Sequence, residues 1–184
     1  LYPVHHILGH IYANWITSGP EYKTPYPTST PEFPVLALIV SGGHTQLMYG
    51  ESHTNWRVIG RTTDDAVGEA FDKVAKVLGL PYPGGVSLSV AAKNGDSFVF
   101  NFPKSKMPGK YDFSFSGIKT AVLRAAQKEI GADHTFPSHK LSERLSEAQK
   151  ANIASSFQRI AIETVVDLSL ILISEPTRPY YISY

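Results

Sequence analysis

The alternation of apolar and polar residues predicts three short β-strands in the first third of the chain. Val35–Val40 is a fully apolar, β-prone run that ends at a Ser-Gly-Gly sequence. Thr45–Tyr49 resumes the strand pattern, and Trp56–Ile59 supplies a third strand. Because short turns join neighbouring antiparallel strands, we predict a small antiparallel meander over residues 35–60.

Apolar residues spaced three and four positions apart predict several helices around this sheet. Thr62–Asp65 offers N-cap side chains and first-turn carboxylates for a helix that continues to Leu78 and stops at Gly79. The Pro-, Tyr- and Thr-rich residues 19–34 predict an irregular connection between two lobes. The other predicted elements are helices over residues 1–15, 86–93 and 146 to about 167, a strand over 97–102, and a strand-to-helix transition within 111–120.

Composition narrows the chemistry that this chain can perform. The absence of cysteine excludes disulfides and thiolate metal ligands, which leaves His, Asp, Glu and Tyr as candidate ligands. A net charge of +1 gives no general attraction for nucleic acid, and a locally basic segment from Lys104 to Lys128 is at least as well explained as solvated surface. No run has the length of a membrane-spanning helix and no signal peptide is recognisable, so we expect a cytoplasmic protein.

Three histidines lie within the sequence Val-His-His-Ile-Leu-Gly-His at residues 4–10. In a helix, His6 and His10 project from one face about one turn apart and can share a metal ion, whereas His5 points elsewhere. Two imidazoles do not complete a common metal site, so at least one further ligand must come from outside this motif. The alternative is a pair of packed, hydrogen-bonded histidines without a metal.

The sequence Val-Ser-Gly-Gly-His-Thr at residues 40–45 is typical of a phosphate- or acyl-binding loop, because paired glycines let the backbone approach a ligand. A tight hairpin turn that needs positive φ explains it equally well. Asp72 lies on the polar face of the following helix and can accept ribose hydroxyls, or can pair with Lys76 as Glu69 can with Lys73. Gly84-Gly85 either faces the same cleft or simply breaks the helix.

The sequence Phe-Ser-Phe-Ser-Gly-Ile-Lys-Thr at residues 113–120 places a lysine in the first turn of a predicted helix. Lys119 opposes the helix dipole there, which predicts a nearby anion or carboxylate. It is therefore a functional lysine or one paired with an acid. The spacing of its glycines excludes a P-loop.

Taken in order, these four motifs closely resemble the TsaD family, formerly called glycoprotease-like, which are tRNA N6-adenosine threonylcarbamoyltransferases. The resemblance covers residues 4 to about 166 and is of the bacterial type. It implies an α/β fold of the actin-like, sugar-kinase/Hsp70 ATPase superfamily, with two RNase H-like lobes around a cleft. It also implies transfer of the threonylcarbamoyl group from threonylcarbamoyl-AMP to N6 of adenosine 37 in tRNAs that read codons beginning with A.

Site residues and partners follow from the same resemblance. His6 and His10 match two ligands of an iron ion, with zinc as the other possible metal, and Asp72 matches the residue that contacts the ribose. The resemblance implies work with a TsaB-like paralogue and a TsaE-like ATPase. The remaining residues that match adenylate-binding positions are Ile39, Val40, Ser41, Gly42, Gly43 and Gly85.

The chain departs from the family pattern at both ends. We expect residues 1–34 to be the end of a first lobe, residues 35–168 to be part of a second lobe, and residues 169–184 to be a tail foreign to the family. A third metal ligand is expected outside this chain, so we expect weak metal binding, no transfer activity, and exposed apolar surface at Val165 and Leu168. The alternatives are a metallopeptidase, although the histidine helix lacks the glutamate of such enzymes, a non-catalytic paralogous subunit, or a kinase of the same fold.

Overall fold

The computed structural model describes residues 4–16, 30–105, 107, 109 and 111–174, and of residues 168–174 it describes only the course of the backbone. The described part is a mixed α/β structure with a small antiparallel sheet. The strands are β1 (Val35–Val40), β2 (Thr45–Ser52) and β3 (Asn55–Arg61), the helices are α1 (His6–Tyr12), α2 (Val67–Val77), α3 (Gly84–Ala92), α4 (Ser116–Glu129), α5 (Leu141–Arg144) and α6 (Glu147–Ser174), and 3₁₀ turns cover Ala13–Trp15 and Ser138–Lys140.

The sheet has the order β1-β2-β3 with both pairs antiparallel, so the predicted meander is confirmed. Val40 pairs with Thr45, which closes the first hairpin directly around the glycine loop. The pairing of β2 with β3 shifts register twice, between Leu47 and Met48 and between Gly50 and Ser52. The predicted connection over residues 19–34 lies outside the described residues up to residue 29.

The main core lies where helices α2, α4 and α6 pack together beside the sheet. Phe113, Phe115 and Phe157 are almost completely buried in it, and the rings of Phe71 and Phe157 meet edge to face at 4.9 Å. Helix α3 packs against both α2 and α6. The core thereby holds α2, which carries the candidate site residue Asp72, against α3, α4 and α6.

Helix α2 ends as predicted but begins differently. Gly79 follows the helix with φ of +70°, and the N–H of Leu80 bonds the carbonyl of Ala75 at 2.9 Å, which forms a Schellman-type stop. The predicted cap over residues 62–65 is wrong, because the helix starts at Val67 and Ala66 supplies no side-chain cap. The carboxylates of this segment, Asp64 and Asp65, instead bind residues at the start of α4.

The predicted strand over residues 97–102 is also wrong, because side chains of α6 occupy the backbone groups that a ladder needs. The N–H of Asp96 bonds Oδ1 of Asn152 at 2.9 Å, and the N–H of Phe100 bonds Oγ of Ser156 at 3.2 Å. Arg159 donates from Nε to the carbonyl of Ser97 at 2.9 Å. The segment therefore crosses α6 as irregular backbone.

Helix α6 starts one residue after its predicted beginning and continues beyond the predicted end to Ser174. Val165, expected to be exposed, is 8% exposed and belongs to the core, whereas among the described side chains of this helix Ile162 and Val166 are exposed apolar residues. Of Leu168, also expected to be exposed, the structure describes only the backbone. Within the described residues, none of the helices combines the length and the apolar character needed to cross a membrane.

Candidate functional site

Helix α1 is held on the sheet by one apolar face. Ile7 and Ile11 are buried against Ala37 of β1 and Met48 of β2, and Ile39 packs at the edge of this small cluster. Residues spaced three and four apart share a helix face, so burial of the isoleucines turns the histidines outward. His5, His6 and His10 are accordingly exposed.

His6 and His10 meet as their spacing predicts. Their Nε2 atoms lie 3.2 Å apart, and the two rings are nearly perpendicular with centroids 4.6 Å apart. Metal–nitrogen bonds of about 2.0–2.1 Å at tetrahedral angles place two ligand nitrogens about 3.3 Å apart, so the pair fits two ligands of one ion. Among the described residues, no third His, Asp or Glu joins them in a cluster that could hold a metal.

An aromatic cluster, which the sequence reasoning missed, fixes the end of α1 to the β2–β3 hairpin. Tyr12 donates its hydroxyl to the carbonyl of His53 at 2.6 Å and accepts from Nε1 of Trp56 at 3.1 Å. Trp15 stacks on Phe33, with centroids 5.4 Å apart, and meets Trp56 edge to face. These rings hold the histidine helix at a fixed place on the sheet.

The glycine loop is a hairpin turn closed by its own serine. Ser41 donates its N–H to the carbonyl of His44 at 2.8 Å, and its Oγ accepts the N–H groups of His44 and Gly43 at 3.0 and 3.3 Å. Gly42 and Gly43 do not adopt positive φ, so the turn does not require glycine for that reason. A Cβ added at either position would have no atom within 4 Å, so a ligand can approach the outer side of the loop backbone closely.

The start of α2 lies directly against this loop. A Cβ added to Gly68 would come within 2.6 Å of the Ser41 carbonyl oxygen and 2.7 Å of Gly42 Cα, so only glycine permits this approach. Thr45, 1% exposed, accepts the N–H of Val67 on Oγ1 at 2.9 Å and fixes the helix start. The sequence carried one signal for this contact, a glycine within a predicted helix. Glycine costs about 1 kcal/mol in a helix relative to alanine, so its presence indicates a close approach by another segment.

Asp72 is joined to the start of α3. Its Oδ1 accepts the N–H of Gly84 at 2.8 Å, and a Cβ on Gly84 would lie 2.5 Å from Asp72 Cα. Within the described part of the chain no ion pair links Asp72 to Lys76, whereas Lys73 pairs with Glu69 at 2.8 Å. The structure therefore does not form the alternative Asp72–Lys76 ion pair, whereas the Glu69–Lys73 pair does form.

A cleft of about 480 Å³ runs along this part of α2. Asp72 and Gly84 lie in its wall, but neither Gly85 nor the Ser41–Gly43 loop does. A Cβ on Gly85 would meet open space. Of the sequence-predicted residues the structure thus brings Asp72 into a cleft, while the glycine loop lies beside the same helix at Gly68.

Two acidic residues predicted to cap α2 instead bind the Phe113–Thr120 segment. Asp64 accepts the hydroxyls of Ser114 and Ser116 at 2.6 and 2.7 Å and the N–H of Phe115 at 2.9 Å. Burial raises the pKa of Asp64, but these hydrogen bonds outweigh it and hold the pKa below its usual value. The Asp64 clamp, as we call this set of three bonds, joins the β3–α2 connection to the start of α4.

Asp65 supplies the carboxylate that Lys119 was predicted to need. Lys119 Nζ lies 3.2 Å from one oxygen of Asp65, and Lys73 Nζ lies 2.7 Å from the other. The hydrogen bond from Lys73 holds the pKa of Asp65 below its usual value, burial opposes this, and Lys119 reinforces it. Lys119 is therefore paired with an acid, which is one of the two interpretations that its sequence position allows.

Lys104, part of the basic segment, is neutralised by α6. Its Nζ lies 2.7 Å from Asp167 and 2.9 Å from Glu163, and these bonds raise its pKa. Lys106 and Lys110 lie outside the described residues. This end of the basic segment is thus a network of ion pairs.

Comparison with known proteins identifies the family of this chain. The profile described as TsaD, tRNA N6-adenosine threonylcarbamoyltransferase, matches residues 1–179. Proteins of that name are 41% identical over 174 residues in Thermomicrobium roseum, and 44% identical over 164 residues in Symbiobacterium thermophilum and in Gloeobacter violaceus. These matches cover 89–91% of this chain but only 41–47% of each relative, so the chain spans less than half of their length. The chain belongs to the TsaD family, whose curated relatives are named as transferases that act on tRNA.

Proposed function

We propose that this chain is part of an enzyme that transfers the threonylcarbamoyl group from threonylcarbamoyl-AMP to N6 of adenosine 37 in tRNAs that read codons beginning with A. The family membership and the names of the relatives support the reaction class. In the reaction, N6 attacks the carbamoyl carbonyl carbon, the bond from that carbon to the phosphate oxygen breaks, AMP leaves, and N6 loses a proton.

The packing of α2 on the glycine loop is the observation that carries this proposal. Gly68 and Asp72 are four residues apart and share one face of α2, about 6 Å apart along the axis. A Cβ on Gly68 would touch Ser41 and Gly42, so the loop lies about one helical turn from Asp72 along the same face of α2. A nucleotide held by the loop backbone reaches Asp72 with its ribose hydroxyls, which fits the adenylate as substrate.

His6 and His10 would hold the metal, since their nitrogens have the separation that one ion requires. When bound, an iron or zinc ion would supply Lewis-acid polarisation of an oxygen. The chain's own part is to hold α1 on β1, the strand that runs directly into the glycine loop. The absence of any acidic residue from α1 also disfavours a metallopeptidase, which needs a general base there.

The wider assembly is part of the same proposal. We propose the actin-like ATPase fold for the whole enzyme, with TsaB-like and TsaE-like partners, by analogy with the family. The chain spans 41–47% of these relatives, and among the described residues no third ligand joins His6 and His10. By itself it is therefore proposed to bind metal weakly and to transfer nothing.

A chimera tests this function. Residues 1–168 replace the matching segment of the Thermomicrobium roseum relative, and threonylcarbamoyl-adenosine in tRNA is measured after supply of threonylcarbamoyl-AMP. We expect transfer by the chimera, loss of bound metal and of transfer in His6→Ala, and little change in the matched control His5→Ala, whose ring lies outside the pair. A folded chimera that binds AMP and metal but transfers nothing contradicts the proposal.

A further inference from the structure

Tyr82 is a large aromatic side chain that the fold leaves in solvent. It is 84% exposed, and it lies in the wall of the cleft that also contains Asp72 and Gly84. Pro83 follows it, and a residue before proline is restricted to extended backbone. The ring is therefore presented from a stiff segment, which lowers the entropy lost when it binds a ligand.

The two sides of the cleft differ in chemistry. Leu80, Pro81 and Tyr82 form an apolar side from consecutive residues. Asp72 and Lys76, one turn apart on α2, belong to the polar side. Such a cleft suits a flat, apolar ring system that carries hydroxyl or anionic groups at one end.

Lys76 adds a positive charge to the wall of the cleft. Lys73 beside it is bound by Asp65 and Glu69, whereas in the described part of the chain Lys76 forms no ion pair. Asp72 uses Oδ1 for the N–H of Gly84 and keeps a second carboxylate oxygen for a ligand. The cleft thus offers an aromatic face, a hydroxyl acceptor and a cation within a few residues.

We infer that Tyr82 is a binding residue for the base of the adenylate, on which it stacks while the ribose lies at Asp72. This inference rests on the proposed function and deepens it. An aromatic ring stacks on the face of a base irrespective of the base edges, and such a contact improves affinity about 5- to 30-fold in an open site. Tyr82 then distinguishes nucleotides from sugar phosphates.

Calorimetric titration of the 184-residue chain with AMP and with ribose 5-phosphate tests the inference. Tyr82→Ala is expected to weaken AMP binding about 5- to 30-fold and to leave ribose 5-phosphate unchanged. Tyr82→Phe keeps the ring and is expected to bind AMP as the unmodified chain does. Phe98→Ala is the matched control, because Phe98 is 76% exposed but does not line the cleft.

The outcomes separate the two proposals. Equal AMP affinity in Tyr82→Ala and the unmodified chain overturns the role of Tyr82 and leaves the adenylate site standing. An equal loss of AMP and ribose 5-phosphate binding in Tyr82→Ala also overturns it, because the residue would then act on the shape of the cleft. Failure of the unmodified chain to bind either compound overturns the adenylate site and this inference with it.

Discussion

Removal of the Asp64 clamp gives the sharpest test of how this structure is held together. Asp64 joins residues about 50 positions away through two serine hydroxyls and the N–H of Phe115. Hydrogen bonds to a charged acceptor contribute about 1.5–3 kcal/mol each when buried, and solvent reduces this at a partly exposed carboxylate. We therefore expect Asp64→Ala to lower the free energy of unfolding by about 2–3 kcal/mol.

The same contribution depends on pH in a defined direction. The pKa of Asp64 is lower in the folded chain than its usual value of 3.8. The stabilisation is therefore fully present above the unfolded pKa and is lost as pH falls through the folded value. Asp64→Asn resembles the protonated acid, so the stability difference between it and the unmodified chain must shrink below about pH 3.8.

Urea unfolding followed by circular dichroism measures both effects between about pH 7 and pH 3. Asp133 is the matched control, because its pKa is also lowered, but by Thr135 within the same loop. Asp133→Ala removes only local bonds and is expected to cost clearly less than Asp64→Ala. Equal losses for the two variants, or an Asp64 contribution that does not fade in acid, would refute the reasoning.

Four further substitutions probe the packing around the site and in the core. Gly84→Ala places a Cβ 2.5 Å from Asp72 Cα and should lower the free energy of unfolding in urea by about 1–3 kcal/mol. Gly85→Ala places its Cβ in open space, so it should leave stability unchanged and weaken AMP binding in calorimetry. Equal stability of the two variants would contradict this geometry. Gly68→Ala forces α2 from the glycine loop and should lower both stability and AMP affinity in the same two assays; unchanged AMP affinity would place the adenylate elsewhere. Phe157→Ala, in a fully buried position, should lower the free energy of unfolding by about 3–5 kcal/mol. A loss under about 1 kcal/mol would mean that neighbouring side chains fill the cavity left by the ring.

Local patterns were sufficient for elements whose partners are near in sequence. The meander follows from apolar runs and a short turn, and the end of α2 follows from Gly79. The need of Lys119 for an acid followed from the helix dipole alone, although the pattern could not name Asp65. Helix spacing likewise placed His6 beside His10.

The errors share a different cause, which is a side chain or backbone group bound by a distant element. Asp64 satisfies local capping rules but is captured by serines of the α4 start, and a helix cap is worth less than three such bonds. Residues 97–102 have strand composition, yet Asn152 and Ser156 take nearby backbone groups. The roles of Asp72, Gly85 and the glycine loop toward a ligand stay predictions.

The aromatic cluster at the end of α1 has a practical consequence for observing the protein. The chain contains two tryptophans, and both Trp15 and Trp56 lie in this cluster, with ring centroids 6.5 Å apart. Intrinsic tryptophan emission therefore reports chiefly on this cluster, where the end of the histidine helix contacts the β2–β3 hairpin. Without any attached dye, the emission spectrum can therefore show whether a metal ion added at His6 and His10 changes the contact between the histidine helix and this hairpin.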